Sequence, residues 1–145
     1  MKKLLLVLLL ATSLPGFSQK WNTSLSEAKT IASKENKPIL LVFSGSDWCA
    51  PCIKLEKNVW LSDEFKKEAN AGWVLVKADF PKKKNNQQSE ELKTQNKTLA
   101  EKYNKEGFFP LVVVLDKTGK VLGKTGYENI KASEYISLIK SFLSK

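Results

Sequence analysis

The chain has 145 residues, a formal net charge of +9, two cysteines and no histidine, and all 24 of its basic residues are lysines. Arginine, the preferred fork for phosphates and base edges, is absent, which argues against nucleic-acid recognition. The scattered lysines read as a solvated basic surface, with weak attraction to acidic partners as the alternative, and the chain has too few cysteines and histidines to supply the four ligands of a closed zinc site by itself.

The N-terminus has the pattern of a secretory signal peptide over residues 1–18. Met1-Lys2-Lys3 is a positive lead, Leu4 to Ala11 an apolar run, and Leu14-Pro15-Gly16 a break before small residues at Gly16 and Ser18. The apolar run falls short of the roughly 20 residues that a membrane-spanning helix needs. No cysteine follows it for lipidation. Export would place the remainder, residues 19–145, where disulfides form and persist. That remainder is the length of one domain with one core, shows no internal repeat, and carries +7 once Lys2 and Lys3 are removed.

The mature part predicts alternating helices and strands. Between Trp21 and Lys37, Ser24 with Glu27 forms a capping box, Leu25, Ala28, Ile31 and Ala32 form an apolar stripe, and Asn36-Lys37-Pro38 stops the helix. Ile39 to Phe43 is wholly apolar, as a central strand buried on both faces should be. A helix is predicted from Cys49 to Trp60. Ser62-Asp63 caps a shorter helix over 64–70, stopped at Ala71-Gly72. Residues 73–79 form a second strand, parallel to the first because a helical crossover joins them. Pro81 to Gln88 reads as a mobile polar loop. Ser89 to Asn104 is helical with Leu92, Leu99 and Tyr103 inward. Leu111–Leu115 and Val121–Tyr127 form a hairpin around Asp116-Lys117-Thr118-Gly119. Ala132 to Leu143 is a closing amphipathic helix. This order predicts an α/β fold, a central mixed sheet with helices on both faces.

Both cysteines fall in Trp48-Cys49-Ala50-Pro51-Cys52, where the first strand hands over to a helix. The unpaired N–H groups and dipole of that helix end would stabilise a thiolate at Cys49. Three other readings compete: a structural disulfide, which in so short a loop removes little chain entropy; half of a zinc site; and two inert buried thiols. A redox dithiol accounts best for the adjacent tryptophan and the strand-to-helix position.

These five residues, the Ser-Asp lead-in and the order of elements resemble the thioredoxin superfamily, and most of all its exported bacterial members, such as the C-terminal domain of the periplasmic disulfide transporter. The resemblance covers nearly all of the chain after the leader. It implies a thioredoxin fold and thiol–disulfide exchange, in which Cys49 attacks a substrate disulfide and Cys52 resolves the mixed disulfide. It also implies that the Phe109–Pro110 bond is cis and that Phe109, Pro110 and Trp48 hold the substrate chain. Phe109 is bulkier than the residue that commonly precedes this proline in the superfamily. The buried aspartate of thioredoxin, six residues before the first cysteine, is replaced here by Phe43.

Glu56 is the candidate for that missing proton acceptor. At about 100° per residue, Cys52, Ile53, Leu55, Val59 and Trp60 share an apolar arc with Glu56 in its middle, while Lys54, Lys57 and Asn58 lie opposite. A carboxylate there would be raised in pKa by burial and could take the Cys52 proton; the competing reading has Glu56 reaching past the core to a lysine. Without a histidine between the cysteines, a reductase is favoured over an oxidase or isomerase. A non-catalytic binding module or a copper chaperone using the two thiols is the alternative of a different class. The expected partners are disulfide-containing proteins and an electron donor in the membrane. Nucleic acid, a metal, a further cofactor and lasting membrane insertion are not expected, and the chain is expected to be a monomer, exported to the periplasm.

Overall fold

The computed structural model describes residues 18–144, and the leader expected over residues 1–18 lies, but for Ser18, outside them. Five strands form one mixed sheet. β1 (Trp21–Asn22), β2 (Ile39–Ser44) and β3 (Val74–Asp79) are parallel, and β4 (Leu111–Leu115) and β5 (Val121–Thr125) complete the order β1-β3-β2-β4-β5. β2 pairs antiparallel with β4, and β4 with β5. The helices are α1 (Leu25–Glu35), α2 (Ala50–Leu55), α3 (Asp63–Gly72), α4 (Glu90–Tyr103) and α5 (Ala132–Ser141).

The apolar runs of β2 and β4 are continuous because both faces of the sheet are covered. Leu40, Val42, Leu75, Val112 and Val114 face α3, α5 and the helix after the cysteines, where Leu55, Val59, Trp60, Phe65, Tyr135 and Ile139 fill the space. Ile39, Leu41, Phe43, Val76, Val113 and Leu115 face α1 and α4 through Ala28, Ala32, Leu99 and Tyr103. Each large aliphatic side chain so enclosed contributes about 1.5–3 kcal/mol. The thioredoxin fold expected from the sequence is thus present, with β2 at the centre of the sheet and its C-terminal end leading to the cysteines.

Four details differ from the expectation. β1 precedes α1 and pairs with β3 through Trp21 and Asn22, a strand too short to leave a periodic signal. α3 starts at Asp63 and runs through Gly72, because Gly at a helix end costs only about 1 kcal/mol relative to Ala. The helix predicted over 49–60 is α-helical only to Leu55; Glu56–Trp60 form a π-turn, closed by Leu61 N–H donating to Glu56 O at 2.9 Å. The loop over 81–88 is not loose: it contains a 3₁₀ turn at Lys84–Asn86 and is tied to Asp47 by three hydrogen bonds.

The π-turn explains where the side chains of this helix point. A wider turn advances each residue by less than an α-helix does. Trp60 therefore swings back toward Leu55 and Cys52 and is 1% exposed. The buried arc is correspondingly narrower than a regular helix would give, and Ile53, expected inside it, is 48% exposed.

Candidate active site

Ser44 ends β2, and the chain turns through Gly45 to Trp48 before α2 begins. Trp48 and Cys49 N–H both donate to Gly45 O, at 3.3 and 2.9 Å. Cys49 is the N-cap of α2, in extended conformation, with Pro51 in the first turn, where its missing N–H costs nothing. Cys49 and Cys52 are joined as a disulfide with a Cα–Cα distance of 5.2 Å. Cys49 Sγ accepts the Cys52 N–H at 3.3 Å, and Cys52 Sγ accepts the Gly45 N–H at 3.4 Å. These donors would meet a thiolate on either sulfur once the bond is reduced, and the helix end adds its dipole on the Cys49 side.

The two cysteines are almost equally buried. Cys49 is 4% and Cys52 3% exposed, so the cap position, not accessibility, distinguishes Cys49 in this oxidised state. Pro51, between the two cysteines, shares a cleft with Phe109 and Pro110. The Phe109–Pro110 bond is cis, as expected. Trp48 meets Phe109 edge-on, with ring centroids 5.5 Å apart. A cleft lined by Pro51, Phe108, Pro110, Gly126 and Tyr127 opens beside the disulfide, and Phe108 is largely exposed at its rim. The structure thus brings Cys49, Cys52, Trp48, Phe109 and Pro110 together.

Glu56 is placed differently. Its carboxylate pairs with Lys77 of β3 at 2.6 Å, and its side chain is 37% exposed. The expectation of an unpaired carboxylate in the middle of a buried arc is therefore corrected: Glu56 sits at the edge of that arc and reaches a lysine. Lys77 is itself held over the Trp21 ring, 4.5 Å from its centroid. Lys77 is the one charged residue within β3 before Asp79, a signal visible in the sequence but without an assigned partner.

Three polar residues that the sequence did not single out shape the surroundings. Asp47 accepts the Lys82 and Lys83 N–H groups at 2.9 and 3.0 Å and the Asn86 amide at 2.9 Å. The Lys82 N–H is the largest cause, followed by Asn86, that holds the Asp47 carboxyl below its ordinary value. Asn104, 3% exposed, clamps the loop before Pro110: its amide donates to Phe108 O at 2.8 Å and its Oδ1 accepts the Phe108 N–H at 2.9 Å. Asn96, 1% exposed, interrupts the apolar stripe of α4 between Leu92 and Leu99, an anomaly legible in the helical spacing.

Comparison with known proteins agrees with this geometry. The model of the thioredoxin-like domain family matches residues 25–142. The chain is 40% identical over 120 residues to a Chlamydia pneumoniae protein described as disulfide bond reductase DsbH, covering 83% of this chain and 70% of that one. It is 32% identical over 133 residues to the thioredoxin-related protein DsbJ of Chlamydia pneumoniae, covering 86% of this chain but 37% of DsbJ. A solved structure of a DsbH oxidoreductase superposes with a TM-score of 0.80 at 38% identity, over 88% of this chain and 85% of that one. A disulfide capping a helix at the end of the central strand, in a chain matched over nearly all its folded length, has one consistent interpretation: the protein belongs to the thioredoxin-like domain family and is a thiol–disulfide oxidoreductase with Cys49–Cys52 as its redox-active disulfide.

Proposed function

We propose that the protein reduces disulfides of other proteins outside the cytoplasm, with Cys49 as nucleophile and Cys52 as resolving thiol. The observation that carries the assignment of roles is the N-cap position of Cys49, whose Sγ accepts the Cys52 N–H. In the reduced protein the Cys49 thiolate attacks one sulfur of a substrate disulfide, and the other substrate sulfur leaves as a thiolate. The mixed disulfide is then attacked by Cys52 after loss of its proton. The second substrate thiolate leaves, the Cys49–Cys52 bond forms, and two electrons have passed to the substrate. An electron donor, for which a membrane protein is the expected source, must then restore the dithiol. Trp48, Phe109 and Pro110 are the residues proposed to hold the substrate chain over Cys49.

Support for the reducing direction comes from the absence of a histidine between the cysteines and from the relative described as a disulfide bond reductase. Support for export comes from the leader pattern of residues 1–18 and the oxidising setting in which such substrates occur. Glu56 remains the proposed acceptor of the Cys52 proton, with Lys77 as its hydrogen-bond partner at 2.6 Å. It lies one helical turn beyond Cys52, and its N–H donates to Cys52 O.

Trapping decides the roles. Cys52→Ser should accumulate mixed disulfides with substrate and Cys49→Ser should not; the reverse would exchange the assignments. The reduction potential in dithiothreitol or glutathione buffers, with insulin reduction alongside, tests the direction: a potential as oxidising as that of a dedicated disulfide donor would refute the reductase. Glu56→Gln keeps the side-chain shape and removes the titration. Resolution should slow and lose its pH dependence in that variant, and an unchanged profile would remove Glu56 from the mechanism.

A further inference from the structure

A second cleft, of about 620 Å³, is lined by Trp48 and shares Phe109 with the one beside Pro110. Its walls are aromatic: Trp48, Phe80 and Phe109, with Pro81 at one end. The rings brace one another, Phe80 against Phe109 at 5.4 Å and Trp48 against Phe109 at 5.5 Å between centroids. The Trp48 indole N–H donates to Phe80 O at 2.7 Å, which fixes the wall nearest the disulfide. The outer rim is the loop over 81–88, held in place by Asp47. Phe109 lines both clefts, so a chain lying across Phe109 and Pro110 passes both.

The cleft also has an unsatisfied group. Asn96 lines it from within the helix α4. Both amide hydrogens of Asn96 are used, one toward Asp79 O at 3.0 Å and one toward Gln88 Oε1 at 3.4 Å. Its Oδ1 is buried and has no hydrogen-bond partner. Turning the amide over would set its oxygen against the Asp79 carbonyl, so the orphan is an acceptor. A buried acceptor left unmatched is destabilising, and a donor from outside would recover that loss. The bond to Gln88 is at the long limit of the range, and Gln88 lines the same cleft.

We propose that this cleft is a specificity subsite for a tyrosine near the cysteine of the substrate protein, with its ring among Trp48, Phe80 and Phe109 and its hydroxyl donating to Asn96 Oδ1. The inference rests on the reductase reading above and adds the kind of sequence that the enzyme prefers. A phenol combines the flat apolar ring that the walls accept with the donor that the floor lacks. The volume exceeds one ring, leaving room for the adjoining main chain. Lys82, stacked on Trp48 with its ammonium 3.9 Å from the ring centroid, forms the lip over which that chain would pass.

The test uses the full-length reduced protein and disulfide-bonded peptides carrying tyrosine, 4-methoxyphenylalanine or alanine at each position within two residues of the cysteine. At one position tyrosine should be reduced about five- to tenfold faster than 4-methoxyphenylalanine, the effect of one recovered hydrogen bond. Asn96→Ala should abolish that preference while leaving reduction of bis(2-hydroxyethyl) disulfide, which has no flanking residues, unchanged. Equal rates for the three peptides at every position would overturn the subsite, as would a preference that survives in Asn96→Ala. The wild-type comparison stands by itself should Asn96→Ala fail to fold. Failure to reduce bis(2-hydroxyethyl) disulfide would instead count against the reductase reading.

Discussion

Trp48 is fixed at one edge by its bond to Phe80 O and at its face by Gly45. A Cβ at Gly45 would lie 2.4 Å from the indole, so the ring, 39% exposed, would have to shift outward. Gly45→Ala should therefore displace the indole, open the wall shared with Phe109, and cost about 1–3 kcal/mol in stability. Its effect on substrate reduction should exceed its effect on small-disulfide reduction, and tryptophan emission should report the displaced ring. Glu56 teaches the opposite lesson about reading single residues. Helical spacing put it in the middle of a buried arc, whereas its carboxylate reaches Lys77, 21 residues away on β3. Nothing local in the sequence selects that lysine from the others. The cysteine pair was legible for a different reason, since its chemistry and its position at a strand end are written in adjacent residues, while Pro110 was singled out only through the resemblance to the superfamily.

The elements that sequence patterning recovered are those whose burial is uniform. β2 and β4 are enclosed on both faces, so Ile39–Phe43 and Leu111–Leu115 are apolar throughout; α1, α3 and α4 carry serine N-caps whose side chains accept an N–H three residues on. The π-turn escaped because its apolar residues, Val59 and Trp60, are buried as a regular helix would also have them. Trp60 contacts Trp21, Phe65 and Tyr135, and Trp60→Ala should cost about 3–5 kcal/mol, measured by denaturant unfolding. The loop over 81–88 was misread because polarity was taken for mobility, while its anchor lies beside the cysteines. Since the folded-state pKa of Asp47 is depressed, the anchor is complete above the ordinary value of 3.8 and is lost as pH falls through the lower folded value. The Lys82 and Lys83 amide resonances should accordingly titrate together below 3.8, and Asp47→Ala should release the same amides to rapid hydrogen exchange at neutral pH. A titration at the ordinary carboxylate value would show that these bonds do not form in solution.

At the scale of the molecule, one sheet separates two helical layers, and the reactive pair stands at the end of its central strand. β2 is bordered by β3, a near neighbour in sequence, and by β4, far along the chain: Phe43 pairs with Ala78 on one side and Leu111 on the other. The first pairing closes a modest loop and the second a much longer one, which must be ordered before its contacts give any return. The half of the protein that carries the cysteines can thus assemble ahead of the half that carries Phe109 and Pro110. During that interval the thiols would sit at a helix start with no substrate-holding loop above them. A newly made chain is then chemically awake before it is selective, and its first disulfide partner is chosen by collision. In refolding from the reduced, unfolded state, alkylation protection of Cys52 should rise before the ability to discriminate among substrate peptides does. Simultaneous recovery of both would mean that the two halves of the sheet form as one unit.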